Sequence, residues 1–212
     1  MITFADAMAA CPLIAILRGV RPEECLDMGQ ALVDAGFTMI EVPLNSPEPF
    51  ESITRLAREL GHRALIGGGT VQTPLAAGQV AKAGGRLVVS PNADARVVSE
   101  AKKLGLAAVP GFATPTEAFV ALEAGADALK LFPAEANPPR VLKSLRAVLP
   151  ADLPVLPVGS ISLDNMGEYW AAGASGFGLG SALYKPGAKA RDVALAARAF
   201  KAAFESLRCP AG

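Results

Sequence analysis

Short apolar runs alternate with amphipathic stretches along the whole chain. The runs occupy residues 13–17, 37–42, 64–66, 86–89, 106–109, 128–131, 155–158 and 176–179. They are brief, partly β-branched and lack strict polar/apolar alternation. That is how strands read when a parallel sheet is buried on both faces. The intervening stretches carry helix punctuation. Ser46-Pro47, Thr73-Pro74, Thr114-Pro115 and Asn137-Pro138 each set an N-capping residue before a proline suited to the first helical turn. Thr114 and Glu117 have the spacing of a capping box. Gly36, Gly61, Gly84, Gly105, Gly125 and Gly173 follow the helical stretches, where a left-handed cap is expected.

The pattern predicts a β-α unit repeated about eight times, preceded by a short extra helix over residues 2–10, as one domain across 1–212. Repeated βα units have two solutions, a closed barrel or an open doubly wound sheet. Eight units favour an α/β fold of the (β/α)8 TIM-barrel type, in which functional groups collect at the C-terminal ends of the strands.

Composition narrows the classes. Hydrophobic residues make up 51% of the 212 and charged residues 19%, enough for a large core and too few charges for disorder. Twenty basic residues offset twenty acidic ones, which leaves no electrostatic footprint for nucleic acid or a membrane surface. No apolar run reaches the roughly 18 residues of a membrane span. Cys11, Cys25 and Cys209 lie far apart and are odd in number, so a reducing, cytoplasmic setting is expected. The first residues lack the basic start of a signal peptide, which points the same way. His62, the single histidine, reads as an exposed loop residue, and a multi-histidine zinc site is excluded.

Polar residues interrupt the pattern at the strand ends. Lys130 stands inside the apolar run Ala128-Leu129-Lys130-Leu131-Phe132. Burial lowers a lysine's pKa, and the neutral amine is a nucleophile able to form a Schiff base. A structural ion pair with Glu41 is the competing reading. Glu41 interrupts the second run and is a candidate general acid/base, or a counter-ion only. Gly159-Ser160 and Gly180-Ser181 follow the last two runs, where such barrels bind phosphate; ordinary turns would look similar. Arg18, after the first run, suits a bidentate grip on a carboxylate, or a salt bridge to a nearby acid. Thr70, closing Gly67-Gly68-Gly69-Thr70, would hold a carboxylate or cap the next helix. Pro91-Asn92 and Gly111 follow the fourth and fifth runs.

Taken in order, PLIAILRG (12–19), IEVPLNSP, ALIGGGTV, VVSPNAD, VPGFATPTEA, ALKLFPAEAN and GLGSALY resemble the family of 2-keto-3-deoxy-6-phosphogluconate (KDPG) and 2-dehydro-3-deoxy-6-phosphogalactonate (KDPGal) aldolases, over nearly the whole chain. The resemblance implies a metal-independent, cofactor-free class I aldolase, usually a homotrimer. It would cleave a phosphorylated keto-deoxy sugar acid to pyruvate and glyceraldehyde 3-phosphate. Lys130 matches the Schiff-base lysine and Glu41 the proton-transferring glutamate. The loops of Gly159, Ser160, Gly180 and Ser181 match the phosphate site. Arg18 and Thr70 are expected at the substrate carboxylate, and Pro91, Phe132 and Val158 along the rest of the pocket. Asn45 stands where the gluconate enzymes typically carry arginine, and Val158 where they tend to carry threonine, so the likeness is to the galactonate type. Ser160 departs from both groups, which commonly have a second glycine there. Other readings of the same residues are a sugar-phosphate isomerase or epimerase, and a non-catalytic phosphate-binding protein.

Overall fold

The computed structural model describes residues 2–208. Helix α1 (Phe4–Ala10) comes first, with a reciprocal capping box between Thr3 and Asp6. Strands and helices then alternate as β1 (Leu13–Ile16), α2 (Cys25–Asp34), β2 (Met39–Pro43), α3 (Pro49–Leu60), β3 (Leu65–Gly69), α4 (Pro74–Lys82), β4 (Leu87–Val89) and α5 (Ala95–Lys103). The second half runs β5 (Ala107–Val109), β6 (Gly111–Phe112), α6 (Pro115–Glu123), β7 (Leu129–Leu131), α7 (Pro139–Arg146), β8 (Val155–Pro157), α8 (Met166–Ala171), β9 (Phe177–Leu179) and α9 (Ala190–Arg208). Each predicted apolar run overlaps a strand, and β6 is a ninth strand outside all of the runs. Arg86 lies just outside its strand, donating to the carbonyls of Ile2 and Gly61.

Every strand pairing is parallel. The strands fall into a six-stranded sheet, β5-β4-β3-β2-β1-β9, and a three-stranded sheet, β6-β7-β8. The division comes at Pro110, which separates β5 from β6 and has no N–H to give the ladder. Hydrogen bonds cross between the two sheets. The Asp127 N–H donates to the Ala108 carbonyl at 3.0 Å, the Ser175 N–H to the Val155 carbonyl at 2.8 Å, and one parallel bridge joins Val158 to Gly178.

Two apolar layers pack on these strands. The larger lies between strands and helices and includes Leu13, Ile40, Val42, Ile66, Val88, Leu129 and Phe177. The smaller collects the side chains of the opposite strand face, among them Ile14, Met39, Leu65, Leu87, Val109 and Leu156. Ala7 of α1 belongs to this inner cluster, and Ile2, Phe4 and Met8 pack against it. The Thr38 hydroxyl ties α1 down by donating to the Ala7 carbonyl at 2.8 Å. The N-terminal ends of the strands are thereby closed with apolar side chains.

Helix punctuation was only partly as expected. Thr73 and Thr114 cap α4 and α6, the latter with the full capping box. Ser46 and Asn137 do not cap. The residue before α3 is Glu48, held at φ 40°, and the residue before α7 is Pro138. Ser46 instead accepts the Gly19 N–H at 2.9 Å, and Asn137 donates to the Pro133 carbonyl. In both cases the helix starts at a later proline, two residues on in α3 and one residue on in α7, and the polar residue is left to brace a loop. Of the six glycines at helix ends, Gly61 is right-handed at φ −64° and the others have positive φ.

Packing around two glycines gives opposite expectations for alanine. A Cβ on Gly67 would sit 1.9 Å from the Leu87 carbonyl oxygen, a backbone atom that cannot step aside. Gly78 lies inside α4 with nothing within 4 Å of its Cβ position. Gly67→Ala should lower unfolding stability by about 1–3 kcal/mol. Gly78→Ala should raise it by about 0.5–1 kcal/mol. Chemical denaturation midpoints measure both, and similar effects at the two sites would contradict this packing.

Candidate active site

Strand periodicity places the two unusual residues. Side chains alternate across a strand, so Glu41 shares the inner face with Met39, and Lys130 shares it with Ala128. Met39 and Ala128 are fully buried in the inner apolar cluster. One layer further toward the strand C-terminal ends, Glu41 is 1% exposed and Lys130 4%. Gly69 makes room for the carboxylate, since a Cβ there would fall 2.1 Å from Glu41 Oε2. On its own strand Lys130 pairs in register with Gly111 and Leu156. Its Nζ lies 4.8 Å from the centroid of the Phe132 ring, within cation–π range.

Burial is the largest influence on both groups. It raises the Glu41 carboxyl above its ordinary range, while the positive charges of Lys130 and Arg18 oppose that rise. It lowers the Lys130 amine, opposed by Glu41 and reinforced by Arg18. Both side chains are therefore driven toward their neutral forms. Glu41 Oε2 is buried with no hydrogen-bond partner among the described residues, and no ion pair joins it to Lys130. The structural ion pair weighed from sequence is not formed.

A cavity of about 370 Å³ opens at this end of the strands. Its lining includes Arg18, Lys130, Phe132, Val158, Gly159, Ser160, Gly180 and Ser181. Beneath it a void of about 10 Å³ is lined by Glu41, Lys130, Val158, Gly178 and inner-face aliphatics. Ile16, Lys130, Val158 and Gly178 border both spaces, whereas Glu41 borders only the lower one. Thr70 and Pro91 follow β3 and β4 but lie outside both linings. Thr70 does not cap α4, a role taken by Thr73.

In the same lining, the loops after β8 and β9 suit an anion. Gly159 has φ 109° and Ser160 φ 52°. Left-handed backbone at Ser160 costs roughly 1–2 kcal/mol more than at glycine. The backbone N–H groups of Ser160 and Ser181 have no protein acceptor among the described residues. Free amides beside a glycine loop are the common means of holding phosphate oxygens. Arg18, also in the lining, is exposed and its Nη1 donates to Asn45 Oδ1 at 2.8 Å. No carboxylate pairs with Arg18 among the described residues, so the salt-bridge alternative is not realised.

The cavity also takes in Ile16, Ile161, Tyr184, Lys185 and Pro186, which the sequence reading did not single out. Tyr184 had a visible signal, since an aromatic hydroxyl only three residues past Gly180-Ser181 must end near that loop. Among the described residues no group of three or more His, Cys, Asp or Glu side chains is placed to hold a metal ion.

Residues 4–198 match the family model described as KDPG and KHG aldolase. The chain is 48% identical over 196 residues to a probable 2-dehydro-3-deoxy-6-phosphogalactonate aldolase of Rhizobium meliloti strain 1021, covering 92% of each chain. It is 46% identical over 193 residues to the 2-dehydro-3-deoxy-6-phosphogalactonate aldolase of Escherichia coli K12, covering 91% of this chain and 94% of that one. A solved structure described as native KDPGal superposes with a TM-score of 0.91 at 45% identity, over 93% of this chain and 96% of the other.

The coupling of the two buried groups has a measurable sign. Modification of Lys130 by a small amine-selective acylating reagent, followed by peptide mass, should show a pH midpoint below the ordinary lysine value of 10.5. In Glu41→Gln the midpoint should move lower still, because the negative charge that favours the ammonium is gone. A midpoint that stays put or rises in the variant would show that the two groups do not sense each other.

Proposed function

The chain belongs to the KDPG and KHG aldolase family, and from that premise we propose that it cleaves 2-dehydro-3-deoxy-6-phospho-D-galactonate to pyruvate and D-glyceraldehyde 3-phosphate. It is thus an aldehyde-lyase. The observation that carries this reading is a buried amine in the wall of a cavity that free backbone amides also border, with a buried carboxyl in the void beneath.

The chemistry follows from the placement. The neutral Lys130 amine attacks the C2 ketone, and loss of water from the carbinolamine gives an iminium. Glu41, neutral at the outset, gives its proton to the hydroxyl that leaves the carbinolamine as water and, now a carboxylate, takes the proton of the C4 hydroxyl. The C3–C4 bond breaks, its electrons pass into the iminium to form an enamine, and the aldehyde departs. Protonation of the enamine at C3 and hydrolysis release pyruvate and restore the lysine. A carboxyl whose pKa burial has raised suits this work, since it can hold a proton between steps. Arg18, steadied by Asn45, takes the C1 carboxylate, and Gly159, Ser160, Gly180 and Ser181 take the phosphate. Val158 and Phe132 border the chain between them. Thr70, next after the Gly69 on which the Glu41 carboxylate rests, joins Arg18 at the C1 carboxylate, and Pro91 belongs to the rest of the substrate pocket.

The same reading extends to the molecule. The two sheets act as one closed (β/α)8 barrel and one domain over residues 1–212, an inference supported by the bonds that join them at Ala108, Val155 and Val158. The enzyme works in the cytoplasm, in galactonate breakdown, without metal or other cofactor, and partners neither nucleic acid nor membrane; among the described residues no helix is long and apolar enough to cross a membrane. It is a homotrimer. Leu75 of α4 is 75% exposed and Phe119 of α6 43%, apolar surface suited to burial between copies. Sedimentation should show a trimer of the 21.7 kDa chain, and a monomer at micromolar concentration would remove that part of the reading.

Borohydride with pyruvate should leave a covalent adduct on Lys130, and Lys130→Ala should abolish both adduct and cleavage. Retained cleavage in that variant would sink the Schiff-base mechanism. Exhaustive chelation should leave turnover unchanged.

The sugar-acid preference is separately testable. KDPG and KDPGal differ only at the C4 hydroxyl, the group Glu41 must deprotonate. Val158 offers no hydrogen bond there, whereas a threonine would. Cleavage of KDPGal should be faster than of KDPG, and Val158→Thr should shift the ratio toward KDPG by roughly 2- to 10-fold, the worth of one hydrogen bond. Arg18→Ala should weaken both substrates alike, because the C1 carboxylate is common to them. A wild-type preference for KDPG would overturn the choice of substrate and leave the aldolase chemistry standing.

A further inference from the structure

Tyr184 lines the cavity and is 3% exposed, yet it has no part in the reaction above. Its turn starts at the phosphate loop, where the Leu183 and Tyr184 N–H groups both donate to the Gly180 carbonyl at 2.8 and 2.9 Å. Its side chain leaves that loop. The Tyr184 hydroxyl donates to Glu24 Oε1 at 3.1 Å, across 160 residues of sequence.

Glu24 stands at the end of the segment that follows β1, the segment that carries Arg18. The same Oε1 accepts the Arg21 backbone N–H at 3.2 Å, and Oε2 lies 3.6 Å from Arg21 Nη2. The carboxylate therefore shapes its own loop while holding the tyrosine. A second contact presses the same two loops together. A Cβ on Gly19 would meet Pro186 Cγ at 2.8 Å, so the backbone beside Arg18 lies directly on the turn after Tyr184. The β1–β9 ladder runs in register only from Leu13↔Phe177 to Ala15↔Leu179. Beyond it, the spacing of the two loops depends on these side-chain contacts.

We propose that the Tyr184–Glu24 hydrogen bond is a positioning device that sets the distance between Arg18 and the Gly180-Ser181 loop. It thereby selects sugar acids long enough to present a carboxylate at one end and a phosphate at the other. The proposal rests on the functional reading given above. A substrate that engages both ends senses the spacing, whereas pyruvate engages only the Arg18 and Lys130 end. Burial and the Glu24 carboxylate hold the Tyr184 hydroxyl above the ordinary phenol range, so it stays a donor at every pH where the enzyme would be assayed.

The test compares Tyr184→Phe, Glu24→Ala, Glu24→Gln and the Tyr184→Phe/Glu24→Ala double variant with wild type. Three measurements are made on each: kcat and KM for KDPGal, kcat/KM for the unphosphorylated sugar acid, and the rate of pyruvate trapping by borohydride. Tyr184→Phe and Glu24→Ala should each raise KM for KDPGal about 3- to 10-fold, with kcat, pyruvate trapping and the unphosphorylated acid little changed. The double variant should be no worse than Glu24→Ala alone, since the Tyr184–Glu24 bond is already lost there. Glu24→Gln keeps an acceptor and should behave as wild type. An unchanged KM in Tyr184→Phe overturns the proposal. So does a loss shared equally by all three measurements alongside a lower melting temperature, which would mark the bond as merely structural. A wild-type protein that traps pyruvate yet cleaves neither sugar acid would overturn the functional reading itself, and this proposal with it.

Discussion

Desolvation of Lys130 and Glu41 is the constraint around which the rest of the chain is arranged. Both side chains project from the inner strand face into a layer that is otherwise Ile, Val, Leu and Met. Removing a lone charge from water is costly enough that a group in such a place shifts its pKa and becomes neutral. A direct ion pair would have undone this by holding both groups charged. The structure avoids one, leaving Glu41 Oε2 without a partner and Lys130 against an aromatic face. The amine gains nucleophilicity and the carboxyl gains the capacity to carry a proton from the same physical cause.

That arrangement needs a rigid, dry floor and an open roof. The floor is the apolar cluster closed by Ala7 and its neighbours on α1, fastened by the Thr38 hydroxyl. Glycines in β3 allow the carboxylate to lie flat on the neighbouring strand, since any side chain on Gly69 would displace it. The roof consists of loops at the strand C-terminal ends, and there the backbone departs from relaxed geometry. Thr70 and Ser160 both hold positive φ without being glycine. Strain of this kind persists only where surrounding structure enforces it, and it concentrates at working sites.

The cavity sets polar groups among apolar ones. Arg18, which donates to Asn45, and the loops of Ser160 and Ser181 border it together with Phe132, Val158 and Ile161. In the proposed reaction, affinity from the substrate's remote phosphate would serve to place its carbonyl against the amine, which is where binding energy contributes to rate.

Much of this was legible in the sequence by itself. Eight apolar runs marked eight of the nine strands, because parallel strands buried on both faces need continuous hydrophobicity, and the two-residue β6 after Pro110 is too short to read. A lysine and a glutamate inside two of those runs stood out because charge is so rarely left there without purpose, and the chain's likeness to a known family rested on the motifs around them. Ser46 and Asn137 misled as helix caps, because local propensity could not say which of two nearby prolines begins the helix. Other features were decided only by tertiary structure. Whether Lys130 and Glu41 pair or stay apart depends on distances between strands β7 and β2, far apart in sequence and carried in different sheets. Arg18 finds Asn45 instead of an acid, and Tyr184 finds Glu24, through contacts between loops 27 and 160 residues apart. Periodicity reports which face a side chain takes, since that follows from the local geometry of the chain. It is silent on which partner stands opposite, since that depends on how the sheets curve and bring their ends together.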